Sequence, residues 1–326
     1  MSKGDKKKIL IGGGGTATAW HLSSLATTAP FSDFLELYIA DTHAAHLVPA
    51  SILSHRFLQV LSVSDPSYPV QMLTMLEENS IDIFVPLIDD DVYTFTSDNE
   101  DLKSLGVLST SVCRASAALL ADKQILSRHL NANGIATARI ISRSDDLDMH
   151  MESNVFVKPR RGYGSRGAYR CCIAEAQALF GREDLLIQEC LAQPEITVEV
   201  FNFNGEIKSL SRERIEVKAG VCTKARIWHD PALHALAIAI GEAIAMPVAY
   251  CFQVMKGTDQ NWRVIDVNAR LGAGTALSTC ANWSLASAAL SVWGQCDMDP
   301  FKYLIEPADD IFVGRVYREV VMGSGD

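Results

Sequence analysis

The sequence predicts a mixed fold, with an α/β part around a parallel sheet followed by an α+β part built on antiparallel strands. Between residues 8 and about 112, short apolar runs alternate with runs of helical spacing, which favours parallel strands joined by helices. After residue 185, strand-like runs follow each other directly, and Asn204-Gly205 is a strong hairpin signal. The 326 residues are enough for two or three domains.

Composition argues against several functional classes. The net charge of −10 argues against a nucleic-acid partner or an anionic membrane surface, but it leaves room for a small basic pocket for phosphates. No apolar run reaches the ~18–20 residues of a membrane span. The eight cysteines form no C-x-x-C pair and no zinc-finger spacing, so we expect free thiols and a cytoplasmic location.

The N-terminal runs predict a Rossmann-like sheet. In order they are a strand, a glycine turn, a helix and a second strand: Lys8–Ile11, Gly12–Gly15, Thr16–Leu25 and Leu35–Ala40. Gly12, Gly14 and Ala17 fit G-x-G-x-x-A, and Asp41 lies about where a dinucleotide-binding acid would. One interpretation is therefore an NAD site. The other is that the glycines only lead the chain into a helix.

An acidic segment ends this part of the chain. Gln71–Glu78 has helical spacing, and Ile81–Leu87 predicts a buried strand. Asp89, Asp90 and Asp91 follow just past that strand, where open α/β sheets bind ligands. Asp89 is our candidate for a substrate contact to an ammonium or hydroxyl group. Its two neighbours are equally well explained as a solvated turn and helix cap.

Two lysines and a glycine-rich loop occupy the middle of the chain. Residues 113–135 have helical spacing and contain Asp122-Lys123, and Val155–Pro159 predicts a strand with Lys158 on its polar side. The loop Arg160–Gly167 follows, with accessible amides suited to covering phosphates or, alternatively, a flexible hairpin. Its small residues are Gly162, Gly164, Ser165 and Gly167. The lysine precedes the glycines, so this is not a Walker loop.

The second half predicts strands and two helices. The strands are Leu185–Leu191, Ile196–Phe203, Glu206–Val217, Ala249–Met255, Trp262–Ala269 and Ile311–Val321. The helices are Asp230–Ala245 and Leu285–Trp293. Arg212 and Arg214 fall on one face of their strand because side chains alternate between faces.

The stretch Val264–Arg270 carries the clearest chemical pattern. Alternation puts Asp266, Asn268 and Arg270 on one face, and Ile265 with the other apolar residues on a buried face. Carboxylate and amide oxygens are ligands that Mg2+ prefers. A guanidinium one step further can hold phosphate oxygens. The alternative is a half-exposed strand with solvated polar residues.

Together these features resemble the ATP-grasp superfamily, most closely its single-module proteins similar to the carbamoyl-phosphate synthase large chain. The resemblance covers nearly the whole chain and depends on five marks: Asp122-Lys123, Lys158-Pro159 with Gly162–Gly167, Gln188–Leu191 with Glu195, Gln253, and Asp266–Arg270. Asp266 stands where the family usually has Glu. The resemblance implies a Rossmann-like domain (1–112), a lid and central subdomain (113–187) and a C-terminal antiparallel subdomain with the metal site (188–326), with ATP between the last two.

The resemblance also implies residue roles. Phosphate oxygens would be bound by Lys123 and Lys158, with the glycine loop closing over them. The adenine edge would be contacted by Gln188, Glu189, Cys190 and Leu191. The ribose hydroxyls would donate to Glu195. One or two Mg2+ (or Mn2+) ions would be held by Gln253, Asp266 and Asn268. Arg270 would stabilise the transferring γ-phosphoryl group.

The implied reaction joins a small, amino-acid-like carboxylate to an amine. The carboxylate attacks the γ-phosphate to give an acylphosphate and ADP, and the amine then displaces phosphate. A closing lid is needed because water hydrolyses acylphosphates. Arg212 and Arg214 are candidates for clamping the substrate carboxylate. A homodimer is left open. The alternatives are an NAD-linked oxidoreductase using Gly12–Ala17 and an ATP-binding regulatory protein without turnover.

Overall fold

Three sheets organise the chain in the computed structural model, which describes residues 6–141, 154–162 and 167–322. The first is parallel, with the strand order β3-β2-β1-β4-β5. Its strands are β1 (Lys7–Gly12), β2 (Leu35–Asp41), β3 (Arg56–Gln59), β4 (Ile83–Val85) and β5 (Leu108–Ser109). The helices around it are α1 (Ala17–Ala26), α2 (Tyr68–Glu78), α3 (Asp89–Thr94) and α4 (Glu100–Ser104). The predicted Rossmann-like sheet is therefore confirmed.

Both faces of the parallel sheet are covered, which explains why its strands are continuously apolar. Ile9 and Ile11 pack in one core with Leu22 of α1, whereas Leu10 packs in another core with Met72 of α2. The carboxyl ends of β1 and β4 lie side by side at one edge of the sheet. The glycine turn and α3 begin there.

The second sheet is small and antiparallel, with the order β7-β6-β8. It consists of β6 (Asn154–Pro159), β7 (Tyr169–Cys172) and β8 (Leu185–Glu189), with the short helix α7 (Ile173–Gln177). The predicted domain boundary at 187/188 falls inside β8. Because Glu189 still pairs with Val155 of β6, this sheet continues through Glu189.

The third sheet is antiparallel, with the order β13-β12-β9-β10-β11-β14. Its strands are β9 (Ala192–Phe203), β10 (Glu206–Lys218), β11 (Val221–Trp228), β12 (Ala249–Lys256), β13 (Trp262–Asn268) and β14 (Ile311–Gly314). The predicted last strand ends early, at Gly314 rather than Val321. Strand β11 was not predicted, because the turn before it is Ala219-Gly220 rather than a typical hairpin pair. Alanine rarely adopts a positive φ, yet Ala219 has a φ of 48° here.

Helices cover the two faces of the third sheet. On one face lie α5 (Arg114–Leu120), α6 (Lys123–Ala132) and α8 (Pro231–Ala243). On the other, α9 (Thr275–Cys280) and α10 (Leu285–Trp293) share a core with α1 and the parallel sheet. Helices α5 and α6, which the sequence assigns to the lid and central subdomain (113–187), thus pack on the third sheet. Within the described residues, no helix has the length and apolar character needed to cross a bilayer.

Candidate active site

A cleft of about 320 Å³ lies between the small sheet and the third sheet. Its walls come mainly from β6 and β8 on one side and from β12 and β13 on the other. Ten of the residues singled out from sequence line it: Lys123, Lys158, Gly162, Gln188, Glu189, Cys190, Leu191, Glu195, Gln253 and Asp266. Two others, Gly164 and Ser165, lie outside the described residues.

Part of the cleft wall is apolar, and sequence reasoning missed it. Phe156, Met255 and Ile265 line the cleft beside the polar groups. Phe156 lies between two buried valines on β6, so it shares a face with Lys158. The same alternation that oriented Lys158 could have identified this residue. Flat apolar walls with a few polar groups suit a heteroaromatic ring.

A β-bulge turns Ile265 into the cleft. Gln253 pairs with Asp266, but the next pair along the strands is Val254 with Val264, which leaves Ile265 as the extra residue. The prediction that Ile265 lies on the buried face is therefore wrong. Strict alternation cannot predict a bulge, because the extra residue reverses the face of the sheet to which each later side chain points.

Lys158 is buried in the floor of the cleft. Its Nζ donates to the carbonyl of Ile265 at 3.0 Å, so the bulge provides its anchor. Burial lowers the pKa of Lys158 to about 8, the charge of Asp266 opposes that shift, and the charge of Lys123 adds to it. A bound anion would stabilise the protonated form.

Lys123 reaches across the cleft from the start of α6. Its helix is capped by the buried carboxylate of Asp122, which accepts from two backbone amides of the first turn. The Nζ of Lys123 donates to the carbonyl of Gly162 at 2.7 Å and lies 3.6 Å from Oδ1 of Asp266. Two lysines and one carboxylate therefore converge on one part of the cleft.

The candidate metal ligands adjoin these lysines. Asp266 and Gln253 are paired across β12 and β13, and Nδ2 of Asn268 donates to Oδ2 of Asp266 at 3.2 Å. Over the described ranges, no group of three or more His, Cys, Asp or Glu residues could hold a metal. One carboxylate and two amides fit Mg2+, which in nucleotide sites is bound by one or two carboxylates together with phosphates.

Arg270 forms a bidentate ion pair with Asp89. Nε lies 2.6 Å from Oδ1, and Nη2 lies 3.2 Å from Oδ2. Burial disfavours the charged guanidinium, but the charge and hydrogen bonds of Asp89, together with the charges of Cys251 and Asp266, outweigh burial and raise the pKa of Arg270. The two residues that sequence reasoning assigned to phosphoryl transfer and to substrate binding are thus in direct contact.

The other two acids of this segment differ from each other. Asp90 is exposed, whereas Asp91 is buried and accepts a 2.6 Å hydrogen bond from the hydroxyl of Tyr68. Burial raises the pKa of Asp91 to about 6. All three acids lie in the first turn of α3, so the Tyr68–Asp91 bond helps to fix the helix that carries Asp89.

The two arginines of β10 have different partners. Arg212 is buried, and its Nη2 donates to Oε1 of the fully buried Glu199 at 3.1 Å. Arg214 donates from Nη1 to Glu195 and from Nη2 to the carbonyl of Gly220 at 2.9 Å. Arg214 thus contacts the residue predicted to bind ribose, whereas Arg212 contacts a different carboxylate.

The glycine turn after β1 has a packing explanation. A Cβ atom at Gly14 would collide with the side chain of Ile39 in β2. The amide of Gly15 donates to Oδ2 of Asp41 at 2.7 Å, and His43 contacts the other oxygen of that carboxylate. The glycine turn and Asp41 therefore contact each other, and these contacts hold β1, β2 and α1 together.

Comparison with known proteins agrees with this architecture. Residues 181–309 match the family described as ATP-grasp in the biosynthetic pathway with Ter operon. No curated protein sequence matches the chain.

Several solved structures are similar. N5-carboxyaminoimidazole synthetase from Staphylococcus aureus complexed with ADP has a TM-score of 0.70 at 16% identity, over 92% of this chain and 81% of that one. L-amino acid ligase from Bacillus licheniformis has a TM-score of 0.71 at 12% identity, over 95% and 79%. The biotin carboxylase–beta-gamma-ATP complex from Campylobacter jejuni has a TM-score of 0.71 at 14% identity, over 94% and 75%.

The chain therefore has the ATP-grasp fold, as the resemblance of its sequence predicted. Within that fold, the match to the family described as ATP-grasp in the biosynthetic pathway with Ter operon covers residues 181–309, less than half of the chain.

Proposed function

We propose that the protein is an ATP-dependent ligase that joins a small carboxylate to an amine through an acylphosphate, releasing ADP and phosphate. The observation that supports this most strongly is the convergence of Lys123, Lys158 and Asp266 in one cleft, beside the Arg270–Asp89 pair. A cleft of this kind suits a polyphosphate at one end and an acid to be activated at the other.

The nucleotide would lie with its base between the small sheet and the third sheet. Phe156, Met255 and Ile265 supply apolar walls for the ring. The side chain of Gln188 already donates to the carbonyl of Ala138 at 3.2 Å. The backbone of Cys190 and Leu191, just beyond the end of β8, is therefore our candidate for the adenine edge.

The ribose and phosphates would follow from the base toward Asp266. Glu195, oriented by Arg214, would accept from the ribose hydroxyls. Lys158 and Lys123 would exchange their present backbone acceptors for phosphate oxygens. Gly162, Gly164 and Ser165 belong to the loop that would cover the phosphates.

Gln253, Asp266 and Asn268 would hold Mg2+ or Mn2+. When bound, such an ion neutralises charge on the β- and γ-phosphates. Asp266 would also keep Lys123 oriented toward the phosphates, 3.6 Å away as it is now. Asn268 would rotate its amide oxygen toward the ion, which releases its hydrogen bond to Asp266.

Arg270 would bind the γ-phosphoryl group and the attacking carboxylate. Its Nη1 donates to the carbonyl of Leu271 at 3.3 Å, so Asp89 and the backbone together fix the guanidinium plane. A fixed donor array stabilises developing negative charge without reorganisation during the reaction. The small sheet, which closes one side of the cleft, would exclude water from the acylphosphate.

A screen for ADP release tests the proposal. Pooled amino acids and small carboxylates are offered with amines, ATP and Mg2+, and we expect ADP release that requires both an acid and an amine. ATP binding without release in any pool would indicate a binding protein without turnover. NAD+ binding without ATP binding would favour an oxidoreductase.

A further inference from the structure

A second group of buried charges lies outside the cleft, between the third sheet and the N-terminal part. Arg212 is 2% exposed and Glu199 is 0% exposed. Arg315, in the segment that continues β14, is partly exposed and donates from its backbone amide to Thr223 of β11 at 2.8 Å. Sequence reasoning did not single out Arg315.

Arg212 and Arg315 meet at the loop that follows Arg270. The Nη2 of Arg315 donates to the carbonyl of Ala273. A Cβ atom at the next residue, Gly274, would collide with the guanidinium of Arg212. The backbone of this loop therefore lies flat against one arginine and is hydrogen-bonded by the other.

The charges of this cluster do not balance. In the part of the chain that the structure describes, Glu199 is the one carboxylate paired with either arginine. Burial, and then the charge of Arg212, lower the pKa of Arg315. His21 beside it adds no further positive charge, since burial, and then the charge of Arg315, lower its pKa to about 4. One positive charge, that of Arg315, is left over in a partly buried place, which is costly without a counter-charge.

Some buried polar atoms of this cluster also lack a hydrogen-bond partner. The Nε of Arg212, the Nε of Arg315 and the Oε2 of Glu199 are buried without a partner. Buried polar groups are normally satisfied, so unpartnered donors on two neighbouring guanidiniums point to a missing acceptor. Two of these three atoms are donors on arginines and one is an acceptor on Glu199, so donors are in excess. The group that the arginines lack is therefore an anion.

The cluster faces the same side of the sheet as the metal candidates. Asp266 pairs with Gln253, Gln253 with Thr197, and Thr197 with Arg212. Residues directly opposite each other point to one face. Three strand spacings separate the backbones of Asp266 and Arg212 by about 14 Å. The loop that follows Arg270 contacts both arginines, so the cluster lies against that loop on the side of the sheet that carries the metal candidates.

We propose that Arg212 and Arg315 form an anion site for a second negatively charged group of the acid substrate. The inference rests on the proposed function and restricts the class of acid that the enzyme would activate. The substrate is a dicarboxylate or an acidic amino acid, with one carboxylate at Arg270 for activation and the other held by the arginine pair. Glu199 orients Arg212 and prevents a second anion from binding there.

Calorimetry in the presence of ADP and Mg2+ tests this without requiring turnover. The probes are succinate, glutarate and glutamate, with butyrate as a monocarboxylate of similar length. We expect the dianions to bind and butyrate to bind at least about tenfold more weakly. Arg315→Met should weaken dianion binding about 10- to 100-fold and leave butyrate unchanged. The matched control is Arg318→Met, which removes an exposed arginine three positions away.

Two further variants keep the test decisive if Arg315→Met does not fold. Arg315→Lys keeps the charge but loses the planar donor array, so it should retain an intermediate affinity. Gly274→Ala displaces Arg212 from the loop and should also weaken the dianions. Equal dianion affinity in Arg315→Met and wild type, or equal binding of butyrate and succinate, would overturn the inference. Failure to bind ADP and Mg2+ would instead overturn the proposed function.

Discussion

Asp89 and Arg270 lie 181 positions apart in the chain and form a bidentate ion pair at the junction of the parallel and antiparallel sheets. Asp89 begins α3 at the end of β4, and Arg270 follows β13. Both side chains are mostly buried, at 10% and 20% exposure. The guanidinium is therefore oriented by a residue from the other half of the molecule.

Asp89→Asn should lower kcat for ADP release more than it lowers ATP affinity. The amide keeps the size of the side chain but loses the second acceptor oxygen, so the guanidinium plane is no longer fixed. A misplaced reacting group costs about 10- to 100-fold in rate. The control is Asp90→Asn, an exposed neighbour in the same turn. Equal effects of the two substitutions on kcat would contradict the positioning role.

ATP affinity should fall as the pH rises above 8. The pKa of Lys158 is lowered to about 8, so the free enzyme loses the phosphate-binding cation above that pH. The dissociation constant for ATP should rise about tenfold between pH 7 and 9. Lys158→Arg stays charged throughout and should remove most of this rise. An identical pH profile for both proteins would show that Lys158 does not bind the phosphates.

Arg214→Met should weaken ATP more than dATP, as Glu195→Ala should. Arg214 holds the carboxylate of Glu195, so losing either residue removes an acceptor for the ribose hydroxyls. The measurement is the ratio of ATP to dATP dissociation constants. Arg226→Met on β11, whose side chain pairs with Asp310, serves as the control. An unchanged ratio in both Arg214→Met and Glu195→Ala would refute the ribose assignment.

The dependence of activity on Mg2+ should differ among variants of Asp266, Asn268 and Arg270. Asp266→Asn should reduce phosphoryl transfer by ~10²-fold or more, since the metal would be poorly held at the phosphates. Excess Mg2+ should partly rescue Asn268→Ala but not Arg270→Ala, because a guanidinium has only donors. ADP release is measured across a Mg2+ titration for each variant. Rescue of both to the same degree would remove Asn268 from the metal site.

Elements with a local signal were predictable from the sequence. The strand of Lys158, the hairpin at Asn204-Gly205 and helix α10 (Leu285–Trp293) were identified from alternation, turn chemistry and helical spacing. These features depend on residues close to one another in the chain. The alternation of side chains along β6 also predicted that Lys158 points away from Val157, and Lys158 lines the cleft.

Features that depend on distant residues were not predictable. The bulge at Ile265 arises from the register between β12 and β13, and no residue type marks it. The pairing of Arg214 with Glu195 depends on how β9 meets β10. Arg315 approaches Arg212 only because β14 is added to the far edge of the sheet. Such contacts depend on tertiary arrangement rather than on local pattern.

The central claim, an acylphosphate formed from the substrate carboxylate, can be tested directly by oxygen transfer. The first acid that supports ADP release is labelled with 18O in its carboxylate and converted completely in the presence of the amine. Each phosphate released should carry one 18O atom, because the carboxylate oxygen that attacks the γ-phosphate leaves with it. Phosphate without 18O, at the same yield of ADP, would show that water rather than the carboxylate attacks ATP.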